Sequence, residues 1–381
     1  MDLFSGKRPK KLRYPIATAR LVSLVRAVET SEDGTKHWSP EEAREVTREL
    51  MRETEPGTKP ASFIEKRAAL AFSRMTKKAP SLLTMKLNYG AKTLTALCLV
   101  VGSYLVGAFS ARLLSNGAEI NLLSPLFIAP FVWSLFVYAA LVLIGAVSIV
   151  RRRHLEFPFR TSLAKLSYGL FAPKLITSGL RRSFLAIWTP AVLRLAQFHI
   201  AKTLHWSFLA FTAGIITCVI VQGFGNTYLV GWSCDALENA PDSVERLFNC
   251  LWGWIPAAFN LGPLPDSNTI AAMRLDRLVQ NEAAATLSPA SVWFPRLFLL
   301  YAALILVPRL LLILWDTFAI RISAGRVPLE FDEYFERILS EAESSAAPKP
   351  EVASGQQPEA PREQPQEAAE EKKEEKKEAA D

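Results

Sequence analysis

The chain has 381 residues, 50% hydrophobic and 21% charged, with a formal net charge of +7 and a mean hydropathy of +0.15. That hydrophobic share sits at the edge of the roughly 45–50% usual for soluble domains, so the distribution decides the class. Charge crowds into the first 92 residues, the stretch after residue 150 and the tail, with long uncharged runs between them. This segregation excludes an ordinary soluble domain and assigns the basic excess to loops and anionic lipid, not to nucleic acid.

The start, Met1-Asp-Leu-Phe-Ser-Gly-Lys-Arg8, has basic residues but no apolar h-region behind them. It is therefore no signal peptide, and the first apolar span is expected to act as an internal signal-anchor. Leu12 to Val28 carries apolar residues at loose helical spacing, which suits a short helix. In His37-Trp-Ser-Pro-Glu-Glu42, Ser39 is an N-cap, Pro40 suits the first helical position and Glu42 completes a capping box. That helix should run to about Glu53. The breaker cluster Glu55-Pro-Gly-Thr-Lys-Pro60 ends it. A second helix follows over about Ala61–Lys78, with Phe63, Ala68, Leu70, Ala71 and Met75 as its apolar side. Residues 1–90 thus read as a basic helical hairpin region on the cytoplasmic side.

Residues 91–150 hold two apolar spans, about Ala91–Leu114 and Leu126–Val150. Gly102, Ser103 and Gly107 allow a close helix approach in the first. Arg151, Arg152 and Arg153 end the second with a cytoplasmic stop signal. Residues 151–205 form the most basic loop, ten Lys/Arg against the single acid Glu156. Within it, Leu180–Leu204 mixes Phe184, Leu185, Trp188, Val192 and Leu195 with Arg181, Arg182, Arg194 and Lys202. It reads as an interfacial amphipathic helix, kinked near Pro190 and lying on an anionic leaflet. A further span there is disfavoured, because Arg194, Gln197 and His199 fall close together. Arg151, Arg152, Arg153, Arg181 and Arg182 are the lipid-surface candidates.

The third span is residues 206–224. The external loop 225–295 is acidic, with Asp235, Glu238, Asp242, Glu245, Asp266, Asp276 and Glu282 against Arg246, Arg274, Arg277 and the bordering Arg296. Its apolar piece Leu247–Leu261 is only about 15 residues long, too short to span. It is expected to be re-entrant or interfacial, with Trp252 and Trp254 at headgroup depth. The fourth span is residues 296–321, an apolar run broken only by the charges Arg309 and Asp316. The stretch between Arg296 and Arg321 would measure roughly 36 Å as a helix at about 1.5 Å per residue. Residues 322–344 carry Phe331, Tyr334, Phe335, Ile338 and Leu339 at helical spacing, a helix that could dock on the amino-terminal hairpin. Residues 345–381 lack aromatics and are too polar to fold.

Basic segments before the first span and between the second and third, with neutral or acidic loops elsewhere, give one topology: four spans with both termini cytoplasmic. The expected fold is an all-α polytopic membrane protein with four transmembrane helices, a re-entrant or interfacial segment and a small cytoplasmic helical domain.

The chain lacks a Walker A sequence, H-E-x-x-H, G-x-S-x-G and paired CxxC motifs. His199 and His205 are six residues apart, on different helix faces, with no carboxylate beside them in sequence. No catalytic residue, metal ligand or cofactor site is assigned, and the reading is non-enzymatic. Cys234 and Cys250 share the external loop as a candidate disulfide, with two free thiols as the alternative. The informative polar residues are Arg309, near the centre of the fourth span, Asp316 two turns on, and Gln222 in the third. Arg309 would face a polar path or bond freed carbonyls on a neighbouring helix, for example near Pro130. Arg309 and Asp316 sit about 10.5 Å apart along the axis, so a salt bridge needs an intervening group. Pro308 leaves the carbonyl of Leu304 without its helical partner, which needs a donor.

Trp38-Ser-Pro-Glu-Glu-Ala, Phe63-Ile-Glu-Lys-Arg-Ala, His205 at the start of the third span, Gly231-Trp-Ser-Cys, Pro263-Leu-Pro-Asp266 and Val307-Pro-Arg-Leu-Leu-Leu312 occur in this order. Over about residues 37–322 the chain resembles a bacterial inner-membrane family of unknown function. Members of that family are commonly encoded beside a Ras-like GTPase; the long charged tail is not part of the pattern. The resemblance implies a membrane partner for a cytoplasmic GTPase and supplies no catalytic residues. The resulting expectation is an inner-membrane scaffold or receptor for that GTPase. The alternative is a channel or transporter with a polar path at Arg309, which four spans would support only as a homo-oligomer.

Overall fold

A computed structural model describes residues 4, 9–80, 89–114, 119–151, 158–170, 177–225, 228–237, 240–259, 261–276 and 290–346. Arg152, Arg153 and the tail from residue 347 lie outside the described residues, as do Glu238, Arg277 and Glu282 of the acidic loop.

The chain begins with strand β1 (Lys11–Tyr14), α1 (Ile16–Thr30), the single turn α2 (Glu32–Thr35), α3 (Pro40–Arg52) and α4 (Pro60–Lys78). The α3 start is the expected capping box. The Glu42 amide donates to Ser39 Oγ at 3.3 Å, and the Ser39 amide donates to the Glu42 carboxylate at 2.9 Å. The apolar sides of α1, α3 and α4 meet, and Val28, Val46, Phe63 and Ala71 are completely buried. Arg67 is buried with them. It donates to Thr47 Oγ1 (2.8 Å), the Ala43 carbonyl (3.1 Å) and Glu29 (3.1 Å). Burial opposes its charge, and the Glu29 carboxylate and Tyr334 together more than offset that, so the guanidinium pKa is raised.

The next elements are α5 (Tyr89–Leu114), β2 (Glu119–Asn121), α6 (Pro125–Val150), α7 (Pro158–Leu170) and α8 (Ser178–Gly223). After them come β3 (Leu229–Gly231), α9 (Pro241–Trp252), α10 (Trp254–Phe259) and α11 (Ser267–Ala272). The chain then forms α12 (Ala290–Tyr301), a π turn over Ala302–Leu306, α13 (Val307–Gly325), β4 (Val327–Glu330) and α14 (Glu333–Ala346). Among the described residues, four helical stretches are long and apolar enough to cross a membrane: Thr93–Arg112, Pro125–Val150, Ser178–Gly223 and Ala290–Gly325. Their outward faces are apolar, as with Phe109 on α5, Val142 on α6 and Leu314 and Phe318 on α13, all more than half exposed. Such a belt in water would be an aggregation surface; in lipid it is solvated.

The all-α expectation needs amending: the described residues are mostly helical but include two small sheets. β1 pairs antiparallel with β4, Lys11 opposite Glu330 and Tyr14 opposite Val327. Both strands alternate exposed and buried positions, the period-2 pattern that burial on one face imposes. A helix was expected from residue 322 onward; β4 interrupts it, and α14 begins only at Glu333. The pair returns the chain to the amino-terminal domain, where Tyr334, Phe335, Ile338 and Leu339 enter its core. Tyr334 donates to Glu29 at 2.8 Å, and Arg26 pairs with Asp332. The second sheet is the parallel pair β2–β3, with Glu119 opposite Leu229.

The largest departure concerns residues 180–224. They form no surface helix followed by a separate span, but one 46-residue helix, α8, roughly 69 Å long at about 1.5 Å per residue. Its first part inserts into the amino-terminal domain: Leu180, Phe184, Trp188 and Val192 belong to that core, not to a lipid-facing surface. Arg182 is exposed on this first part, beside the partly buried Arg181. Pro190 does not break the helix. Both Pro190 and Ala186, whose carbonyl loses its partner, are exposed, so the orphaned oxygen lies outside the core.

Beyond the domain α8 packs along α5. A Cβ on Gly107 would strike the Phe211 backbone, and one on Gly214 would strike the Tyr104 carbonyl. These two glycines set the helix separation, whereas Gly102 has open space around it. At the far end, α9, α10 and α11 cover the spans. Phe248, Trp252 and Trp293 pack edge to face with ring centroids 5.1–5.9 Å apart. Trp252 is therefore buried in protein, contrary to the headgroup position expected for it, whereas Trp254 is exposed. Trp232 Nε1 donates to the Ile270 carbonyl at 2.7 Å.

Candidate functional site

Four candidate spans leave few places for polar chemistry, and the described residues concentrate it where α8 and α13 face each other. Arg309, His205 and Asp316 are all buried there. Arg309 Nη1 lies 2.9 Å from His205 Nδ1. A guanidinium only donates, so Nδ1 accepts, and a neutral ring then carries its proton on Nε2. That nitrogen faces Asp316 Oδ2 at 3.7 Å. His205 thus lies between Arg309 and Asp316, bonded to the first and only near the second, since 3.7 Å is too long for a hydrogen bond and Asp316 Oδ2 makes none.

The surroundings close the cluster. The guanidinium carbon of Arg309 lies 4.4 Å from the Phe208 ring centroid and 5.6 Å from that of Tyr138, within the roughly 6 Å over which a ring face attracts a cation. Arg160 on α7 and Lys202 on α8 place further positive charge near Asp316. The Asp316 carboxylate therefore stands near two cations, Arg160 and Lys202. The orphan carbonyl created by Pro308 also has its donor: Tyr138 donates to the Leu304 carbonyl at 3.0 Å. The missing proline N–H coincides with the preceding π turn.

The other singled-out residues lie elsewhere. Gln222 is at the far end of α8, where its side-chain oxygen accepts from Tyr228 at 3.3 Å. Cys234 and Cys250 are free thiols. Arg151 is exposed just beyond α6. Arg309 does not bond carbonyls near Pro130; Arg296 is the arginine that caps carbonyls, donating to Val292 (2.6 Å), Leu261 (2.6 Å) and Gly262 (3.3 Å). It thereby holds the Pro263-Leu-Pro-Asp266 loop against α12. No group of three or more His, Cys, Asp or Glu suited to a metal ion occurs among the described residues. Sequence reasoning missed His205 and Tyr138 as members of the cluster, because their partners are 104 and 166 residues away in the chain.

A family described as a protein of unknown function (DUF2868) matches residues 174–381, more than half of the chain. The chain belongs to this family. The match begins just before α8 and takes in α8 to α14, so the whole Arg309–His205–Asp316 cluster lies within the family region. It continues to residue 381, and so includes the tail that the motif order had left out. The α3–α4 hairpin falls outside it. No curated protein and no solved structure matches the chain.

Proposed function

We propose that this member of the family is a non-enzymatic, multi-pass scaffold of the bacterial inner membrane whose amino-terminal domain faces the cytoplasm and recruits a GTPase. The observation that carries the reading is the continuity of α8. One helix forms part of the domain core at Phe184 and Trp188 and part of the span bundle at Leu209 and Ile215. The β1–β4 pair fastens the return of α13 to the same domain. The domain is therefore held rigidly to the bundle, as a docking platform requires. Its outer surface has a polar hollow lined by Lys36, His37, Glu41, Glu45, Arg48 and Lys78. The resemblance to a family encoded beside a Ras-like GTPase supplies the partner class. Fractionation of cells tests this. The neighbouring GTPase should pellet with membranes, and it should move to the soluble fraction when Glu41→Lys and Glu45→Lys are combined. Unchanged membrane association in that variant refutes the hollow as the docking surface.

A second reading rests on the buried cluster. Ionisable residues inside spans mark ion or proton paths by default, and an oligomeric channel or transporter would use Arg309 in that role. The ring faces of Phe208 and Tyr138 against the guanidinium speak for a packing role instead. Flux in proteoliposomes that is abolished by Arg309→Leu would favour the transport reading.

A further inference from the structure

The first half of the amphipathic surface helix that the sequence suggested over residues 180–204, Leu180 to Val192, is part of the domain core, and α7 presents a lipid-like face. Its inner side packs on α8: Ala164 is buried, and Thr161 Oγ1 accepts from Gln197 Nε2 at 2.8 Å. Its outer side presents Phe159 and Leu166, 62% and 58% exposed. These are seven residues apart and so share one face. Lys165 is exposed beside them.

The level of α7 is fixed by its partner. Gln197 lies between Val192, in the domain core, and His205, in the span bundle. The apolar belt of α8 starts just beyond, at the exposed Leu204 and Trp206. The apolar face of α7 thus borders the belt of the spans at the domain end, where a bilayer surface would lie. Lys165 on α7 and Arg151, exposed after α6, are charges at that border, with the exposed Arg194 and the partly buried Lys202 on α8 beside them.

We propose that α7 is an in-plane membrane helix that seats Phe159 and Leu166 among acyl chains and holds anionic headgroups with Lys165. An exposed Phe/Leu face continuous with a span belt is stabilised by lipid burial, and a nearby lysine adds attraction to an anionic leaflet. The helix then fixes the depth of the domain relative to the bilayer, independently of any partner the domain recruits.

The test uses the full chain with its four cysteines replaced by serine, carrying Phe159→Cys, Leu166→Cys or, as an aqueous control, Glu41→Cys. Each is labelled with an environment-sensitive fluorophore in nanodiscs of phosphatidylglycerol and phosphatidylethanolamine or of phosphatidylcholine alone. The labels at 159 and 166 should be quenched by lipid-attached quencher and protected from iodide, with the reverse at 41. Lipid quenching should fall in phosphatidylcholine, and Lys165→Glu should reduce the difference between the two lipid compositions. Iodide quenching at 159 and 166 equal to that at 41 would overturn the proposal. So would protection from both quenchers, which would mean that protein covers α7, or lipid quenching that ignores headgroup charge.

Discussion

Arg309 and His205 sit on different spans and share a 2.9 Å hydrogen bond in which the guanidinium donates to Nδ1. The opposite ring nitrogen faces Asp316 at 3.7 Å, close enough for electrostatic contact but not for a hydrogen bond. Removing one member of a buried charged set leaves the others uncompensated, at a cost of about 3–5 kcal/mol in soluble proteins. Arg309→Leu should therefore lower the thermal midpoint of the purified full chain in detergent markedly. Arg309→Leu combined with His205→Leu should lose less than the sum of the single changes, since neighbouring sites couple by about 0.5–3 kcal/mol. Additive losses would show that the two residues act independently.

Tyr138 and Pro308 form a second coupled pair. Tyr138→Phe strips the Leu304 carbonyl of its donor, which should cost about 1–3 kcal/mol for a buried acceptor. Pro308→Ala restores a backbone N–H one turn beyond Leu304. The double variant should recover most of the loss in a denaturation series. No recovery would mean that Tyr138 acts through its ring against Arg309 and not through its hydroxyl.

The α5–α8 contact gives a three-way comparison. Gly107→Val and Gly214→Val each force a side chain into backbone, and overpacking typically costs about 1–3 kcal/mol. Gly102→Val meets open space and should leave stability unchanged. Yield of monodisperse protein and thermal midpoint both report the outcome. Equal damage at all three positions would contradict the crossing point.

The α3 cap carries a pH dependence. The hydrogen bond from Lys78 and that from the Ser39 amide hold the Glu42 carboxyl below its ordinary value of 4.5. A lowered carboxylate pKa means that the capping contribution is complete above 4.5 and is lost as pH falls through the lower folded value. Hydrogen-exchange protection at the first turn of α3 should drop over that acid range. Glu42→Gln should show weaker protection at neutral pH and little further change in acid.

Local signals were legible and long-range ones were not. Ser39, Pro40 and Glu42 announced α3 within two residues of its observed ends, because a cap is written in contiguous sequence. Pro308 announced an orphan carbonyl, yet the donor, Tyr138, comes from another helix and leaves no local trace. The cluster was half visible. Arg309 and Asp316 stand out in an apolar run, but His205 looked solitary, because its carboxylate arrives only through packing. Residues 180–204 misled for a related reason. An amphipathic face says only that one side is buried, and here the burying surface is the amino-terminal domain, not lipid. The β1–β4 pair was missed because four-residue strands at opposite ends of the chain carry little pattern of their own.

Binding of a purified Ras-like GTPase of the proposed partner class to the full-length protein in nanodiscs, in its GDP-bound and GTP-bound forms, tests the proposed platform role of the amino-terminal domain. The expected result is saturable binding in at least one nucleotide state, lost when Glu41→Lys and Glu45→Lys are combined and retained in Arg309→Leu. Absence of binding in both nucleotide states, or binding untouched by the charge reversals, would contradict the account.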